Sequence, residues 1–159
     1  MISQEKCETR QINQTHSLDL SEEKDRIEKA GGFIQRNQLK PFLPTVFRVY
    51  ANKECTRGGL TMSRSIGDVL IHRFGVSSTP SLQSVQMEEF AHSTVYIVIG
   101  SDGLLSYANK EEVIDHLTKT IPISEALNQT LSFAQQKTLE ITSGKYADDT
   151  SGILISFDL

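Results

Sequence analysis

Apolar positions recur with two different periods along this chain, and the two periods predict a mixture of strands and helices. A short run rich in β-forming residues predicts a strand over residues 46–50, and a second strand is predicted over residues 82–87, shortly after Pro80. The continuous apolar run over residues 95–99 is typical of a strand that is buried on both faces. A last run over residues 152–157 predicts a strand near a sheet edge.

Helical spacing predicts three helices, over residues 22–30, 109–120 and about 124–139. On the second helix, Val113, Ile114 and Leu117 share one face. Each helix is expected to begin at a polar N-cap, in chain order Ser21, Asn109 and Ser124. Asn109 is followed by Glu112 three residues later, which is the spacing of a capping box.

Glycine and proline predict the breaks between these elements. Gly31 and Gly32 are expected to end the first helix. The segment with Pro41 and Pro44 is expected to form a loop, and residues 57–59 a turn. Strands and helices therefore follow one another along the whole chain, and no internal repeat interrupts them.

Composition narrows the class of protein. The chain has 159 residues, which is one domain's worth, and a net charge of -4 without a Lys/Arg cluster, so nucleic acid is not the expected partner. No apolar run is long enough for a membrane span, and the N-terminus lacks a signal-peptide core. Cys7 and Cys55 form no CxxC pair, which favours a reducing intracellular compartment, cytoplasmic or nuclear.

Acidic residues lie next to two of the predicted strands. Ser101, Asp102 and Gly103 follow the run that ends at residue 99, and Gly103 is expected to allow a sharp turn. Asp148 and Asp149 precede the last strand. Carboxylate oxygens at two strand ends suit a hard cation such as Mg²⁺ or Mn²⁺. An Asp-Gly pair after a strand is also ordinary turn chemistry, so each feature alone is a weak signal.

Taken in order, several segments of the chain resemble the metal-dependent protein phosphatases, the type 2C serine/threonine phosphatases. The first lie upstream, at residues 26–34 and 48–50. The others are Gly59-Leu-Thr-Met-Ser-Arg-Ser-Ile-Gly-Asp68, Gly75-Val76 with Pro80, Tyr96-Ile-Val-Ile-Gly-Ser-Asp-Gly-Leu104 and Asp148-Asp-Thr-Ser151. The order of the segments makes the resemblance specific.

The resemblance implies an α+β fold in which two antiparallel sheets pack face to face as a sandwich with flanking helices. Residues 1–159 would be the C-terminal portion of the catalytic domain, with residues 35–57 in the flap region beside the active site. In this family a pair of Mg²⁺ or Mn²⁺ ions between the sheets activates a water that attacks phosphoserine or phosphothreonine. The expected partner is therefore a phosphoprotein substrate.

The resemblance also assigns roles to single residues. Asp102 and Asp148 would be metal ligands, and Asp149 stands where the family has Asp or Asn. No catalytic side chain beyond these ligands and no organic cofactor is expected. Arg64 and Asp68 match a family motif, for which a structural role is favoured, in a buried Arg/Asp arrangement between a loop and the sheet.

The chain departs from the family pattern in two places. Thr15 precedes His16 where the family has an Asp associated with a further metal site, and no Asp-Gly-His occurs in the sequence. The favoured interpretation is a C-terminal fragment of a phosphatase, inactive alone, whose exposed sheet is covered by a dimer or by a missing N-terminal half. The alternatives are a pseudophosphatase that serves as a binding or scaffold module and, least favoured, an unrelated α+β domain.

Overall fold

The computed structural model describes residues 8–38, 40, 43, 45–106, 108–119 and 122–159. The chain forms two compact units. The N-terminal unit is Ile12–Ser84, and the C-terminal unit is Val85–Leu159 with the first stretch of chain up to Gln11. Each unit contains an antiparallel sheet and helices, so the predicted α+β class with two antiparallel sheets is confirmed. The face-to-face packing of the two sheets stays a prediction.

The regular elements are five strands, five α-helices and one 3-10 helix within the described residues. In chain order they are α1 (Ser21–Lys29), β1 (Phe33–Asn37), β2 (Val46–Tyr50), β3 (Gly58–Leu60), α2 (Val69–His72), the 3-10 helix (Met87–Phe90), β4 (Thr94–Gly100), α3 (Asp102–Leu105), α4 (Lys110–Lys119), α5 (Ile123–Ile141) and β5 (Gly152–Asp158). None of the described helices is both long enough and apolar enough to cross a membrane.

The N-terminal unit is built on a three-stranded sheet in the order β1-β2-β3. The strand predicted over residues 46–50 is confirmed as β2, whereas β1 was expected to be loop and the predicted turn at residues 57–59 partly belongs to β3. Helix α1 ends as predicted, because Gly31 and Gly32 donate to the carbonyls of Glu28 and Ile27. The core of this unit consists of Leu18, Ile27, Val49, Ile71 and Val76.

The C-terminal unit pairs β4 with β5 and packs them against helices. Val98 and Leu154 face the core formed by residues of α3, α4 and α5. The opposite face carries Ile99 and Ile153, which are 55% and 57% exposed. The prediction that β4 is buried on both faces is therefore wrong here, because this sheet has two strands and its helices cover one face.

Helix starts were predicted with mixed success. The capping box of α4 is confirmed, since Glu112 N–H donates to Asn109 Oδ1 at 2.8 Å and Asn109 N–H donates to Glu112 Oε2 at 3.1 Å. Ser21 and Ser124 are not N-caps: Ser21 is the first residue of α1 and Ser124 is the second residue of α5. In those two helices Leu20 and Pro122 hold the N-cap positions without a side-chain hydrogen bond.

The strand predicted over residues 82–87 is wrong. These residues form no regular element before the 3-10 helix at Met87–Phe90, and Leu82 is 90% exposed. β-Forming side chains favour a strand only where neighbouring strands and a packed face receive them, and the described sheets offer this segment no partner.

Candidate metal site beside the β4–β5 sheet

The antiparallel pairing of β4 and β5 brings the two acidic segments of the sequence together. Gly100 lies opposite Gly152, so the chain leaving β4 runs beside the chain entering β5. Ser101 joins them: its N–H donates to Ser151 O at 3.0 Å, and its Oγ donates to Asp149 O at 3.2 Å and accepts from Ser151 N–H at 3.0 Å. Asp102 and the Asp148–Asp149 pair are therefore held at the same end of one sheet.

Gly103 permits a close approach of two chain segments. It was expected to be a turn-former, but its φ lies outside the left-handed region and Asp102–Leu105 is a short helix. A Cβ at this position would lie well under 3.0 Å from the carbonyl oxygen of Asp149 and at 2.9 Å from Thr150 Oγ1. The missing side chain, rather than a special backbone conformation, therefore lets the segment before β5 pass beside α3.

The carboxylates differ in how firmly they are held. Asp102 is exposed at the first residue of α3, and its Oδ1 accepts the N–H of Gly103 at 3.1 Å. Asp148 is half-buried, and its Oδ1 accepts two hydrogen bonds, from Tyr146 Oη at 2.9 Å and from Asp149 N–H at 3.1 Å. Asp149 is exposed. Asp148 is thus the most firmly oriented of the three.

The side-chain oxygens at this end of the sheet are of the chemical type that a hard divalent cation prefers. Asp102, Asp148 and Asp149 offer carboxylate oxygens, which Mg²⁺ and Mn²⁺ prefer. Both hydrogen bonds to Asp148 go to Oδ1, so its Oδ2 can serve as a ligand. Within the part of the chain that the structure describes, no group of three or more His, Cys, Asp or Glu side chains is arranged to hold a metal ion. If a metal ion binds here, these residues would supply only part of its coordination shell, and water or further ligands would complete it.

A second group of charged side chains lies inside the N-terminal unit. Glu23 on α1 is fully buried, and its carboxylate accepts from Arg26 Nη2 at 2.6 Å and from Arg64 Nη2 and Nε. Arg64 also donates to Thr79 O at 3.0 Å, and Arg26 donates to Ser63 O at 2.9 Å. The three side chains therefore tie α1 to the segments that carry Ser63 and Thr79.

Electrostatics and geometry both give this group a structural role. Burial disfavours the charged form of Glu23, but the hydrogen bonds from Arg26 and Arg64 outweigh it and hold the pKa of Glu23 far below its ordinary value. The structural interpretation of Arg64 agrees with these contacts, whereas the expected Arg/Asp pairing does not. Arg64 contacts the carboxylate of Glu23, whereas Asp68 is exposed at the start of α2.

Comparison with known proteins identifies the family. A family model described as "Protein phosphatase 2C" matches residues 1–142. The chain therefore belongs to the protein phosphatase 2C family. The matched range includes Asp102 and ends before Asp148, so the interpretation of Asp148 depends on motif order and on the β4–β5 geometry.

Individual relatives are longer than this chain. "Probable protein phosphatase 2C 61" of Arabidopsis thaliana is 28% identical over 95% of the chain and 45% of that protein. "Protein phosphatase 1K, mitochondrial" of Xenopus laevis is 28% identical over 89% of the chain and 32% of that protein. The chain thus spans less than half the length of these relatives.

A solved structure supports the fold. The crystal structure of a serine-threonine phosphatase 2C from Toxoplasma gondii superimposes with a TM-score of 0.67 at 18% identity. The superposition covers 91% of this chain and 46% of that chain. At this identity the similarity is evidence for the fold.

Three residues of these two sites were missed by sequence reasoning. Glu23 was given no role in the predicted first helix, although its spacing of three from Arg26 suits an ion pair. Ser101 was read as part of a turn. Tyr146 precedes Asp148 by two residues, and such a pair is too common in sequences to predict a contact between the two side chains.

Proposed function

We propose that this chain is part of a metal-dependent protein serine/threonine phosphatase, in which Asp102 and Asp148, with Asp149, provide carboxylate ligands for Mg²⁺ or Mn²⁺. The observation that carries the proposal is the pairing of β4 with β5, which holds these residues at one end of a sheet in a chain of the protein phosphatase 2C family. The proposed substrate is an intracellular phosphoprotein.

The residues of this chain would bind and orient rather than react. Bound Mg²⁺ or Mn²⁺ would supply an acidified water and electrostatic stabilisation of the phosphoryl oxygens. Asp102 would offer a carboxylate from the start of α3. Two neighbouring residues would keep the Asp148–Asp149 segment at a fixed distance from Asp102. Ser101 links the two segments by hydrogen bonds, and Gly103 leaves room for their close approach.

The isolated chain is expected to be inactive. The family resemblance implies further metal ligands and a phosphate-binding Arg that the printed sequence does not contain. With Mn²⁺ present, the chain should therefore hydrolyse p-nitrophenyl phosphate no faster than a Mn²⁺ buffer control. Turnover by the chain that disappears in Asp102→Ala would contradict this expectation.

A chimera tests the proposed function itself. The N-terminal half of a family member is joined to this chain, and Mn²⁺-dependent hydrolysis of a phosphothreonine peptide is measured. We expect activity in the chimera and loss of most of it in Asp102→Asn, since a neutral amide is a poorer ligand than a carboxylate. Asp115→Asn, an exposed Asp on α4, is the matched control and should keep its activity. A folded chimera whose activity survives Asp102→Asn would contradict the proposal.

A second candidate function is a binding or scaffold module without catalysis. Thr15 favours it, because an exposed threonine stands where the family has an Asp associated with a further metal site. A chimera that binds the phosphopeptide but does not hydrolyse it, with or without Thr15→Asp, would support this candidate. Hydrolysis restored by Thr15→Asp would instead assign the loss to that one position.

A further inference from the structure

We propose that Tyr146 is a positioning residue for the candidate metal site, acting through Asp148; the inference rests on the proposed function. Tyr146 Oη donates to Asp148 Oδ1 at 2.9 Å, and Asp149 N–H donates to the same oxygen at 3.1 Å. The two donors together fix the carboxylate plane. Among the described residues no donor lies within hydrogen-bond distance of Oδ2, so that oxygen is the one presented to a cation.

The main chain of Tyr146 is held by the end of helix α5. Thr142 is 1% exposed; its hydroxyl accepts the N–H of Tyr146 at 3.3 Å, and its single proton is shared between Tyr146 O at 2.8 Å and Thr138 O. The same hydroxyl lies 2.7 Å from Thr138 O, inside the helix. Tyr146 therefore takes its position from the buried C-cap side chain of a 19-residue helix, and not from an unattached loop.

A tyrosine is chemically suited to this task. Its phenol hydroxyl is an uncharged hydrogen-bond donor. A neutral donor orients Asp148 without cancelling its charge, whereas Lys or Arg in the same place would compete with the metal ion. Partners of this kind, behind a ligand, typically change metal affinity by about 10- to 100-fold when they are removed.

The test removes only the hydroxyl. Mn²⁺ is titrated into the wild-type chain, Tyr146→Phe and Tyr96→Phe, and binding is followed by water-proton relaxation, which reports weak sites. Tyr96 on β4 is the matched control, since its side chain is 41% exposed and its hydroxyl does not contact the carboxylates. We expect Tyr146→Phe to weaken Mn²⁺ binding by about tenfold and Tyr96→Phe to leave it unchanged.

A spectroscopic measurement separates positioning from a general structural role. The chain has four tyrosines and no tryptophan, so near-ultraviolet difference spectra report tyrosine surroundings directly. Adding Mn²⁺ should perturb the tyrosine band in the wild type and in Tyr96→Phe, and the perturbation should be absent in Tyr146→Phe. The metal-free thermal midpoint of Tyr146→Phe, measured alongside, shows whether the variant is folded.

The outcomes distinguish this inference from the proposed function. Wild-type binding of Mn²⁺ that Tyr146→Phe leaves unchanged would overturn the role of Tyr146 alone. Equal weakening by Tyr146→Phe and Tyr96→Phe would overturn it too. A wild-type chain that binds no Mn²⁺ at all would overturn both proposals.

Discussion

Two groups of carboxylates in this chain have opposite electrostatic surroundings. In the N-terminal unit, Glu23 is fully buried and two arginines compensate its charge. In the C-terminal unit, Asp102 and Asp148 are at least partly exposed, and their hydrogen bonds come from neutral groups. Arg26 and Arg64, the partners of Glu23, lie in segments through which the chain resembles the same family as it does through the segments of Asp102 and Asp148.

The difference separates a carboxylate that is compensated within the fold from carboxylates that have no cationic partner among the described residues. The charge of a buried carboxylate with two guanidinium partners is compensated inside the protein, and removing that carboxylate leaves uncompensated cations. Carboxylates collected at a strand end without such a partner could instead contact a bound cation, as the proposed function requires. Each change predicted here affects one of the two carboxylate groups and should leave the other unchanged.

The largest effect is expected from Glu23→Ala. Because the change leaves Arg26 and Arg64 without their carboxylate partner in a partly buried position, it should lower the free energy of unfolding by about 3 kcal/mol. Urea unfolding measures the change. Glu28→Ala on the same helix breaks an exposed pair with Lys24 and should cost about 0.5 kcal/mol or less. Equal losses in the two variants would show that the buried group is not structural.

Gly103→Ala should have the next largest effect, and on the other unit. The added Cβ meets the Asp149 carbonyl and Thr150, so one segment must move, at a cost of about 1–3 kcal/mol. Because the movement separates Asp102 from the segment of Asp148, any Mn²⁺ binding should weaken as well. Leu105→Ala, which trims a half-exposed side chain of the same short helix, is the control. Unchanged stability in Gly103→Ala would contradict the close approach described here.

Acid should weaken the N-terminal unit through Glu23. The burial of this side chain opposes ionisation, but its two arginine partners hold its pKa below the ordinary value of 4.5. The folded state then binds fewer protons than the unfolded state, so the stabilisation is complete above about pH 4.5 and is lost as the pH falls below it. Unfolding free energies at about pH 6 and about pH 3 should differ more in the wild type than in Glu23→Gln. Parallel losses would contradict the assignment.

The smallest effect is expected from Asp102→Asn without metal. Replacing the Asp102 carboxylate by a neutral amide should relieve electrostatic repulsion with Asp148. Because the Asn oxygen can still accept the Gly103 N–H, the thermal midpoint should stay the same or rise. Differential scanning calorimetry in the presence of a chelator measures it. Asp115→Asn, which breaks an exposed pair with Lys119, should lower the midpoint slightly. A clear drop in Asp102→Asn would mean that Asp102 is a structural residue first.

Local sequence signals predicted much of this fold. The capping box at Asn109 and the glycine stop after α1 depend on neighbours within a few residues, and β2, β4 and β5 each contain a continuous run of β-forming residues. The errors occur where distant partners decide. β1 exists because β2 lies beside it, and the strand expected at residues 82–87 is absent because no partner receives it.

The candidate site shows the same division. Asp102 and Asp148 could be identified from their places beside strands, and the structure brings them to one end of a sheet. The contacts of Ser101 with Asp149 and Ser151 span about fifty residues of chain, so no local pattern reports them. Likewise, the burial of Glu23 follows from its contact with Arg64, 41 residues away.

A calorimetric titration of Mn²⁺ into the wild-type chain and into Asp102→Asn tests the central claim most directly, namely that these carboxylates bind a divalent cation. Two or three carboxylates with water in the remaining positions should bind weakly, with a dissociation constant on the order of 1 mM for the wild type. Asp102→Asn should bind at least about tenfold more weakly. Equal binding by the two chains, micromolar affinity in the wild type, or no binding at all would contradict the account.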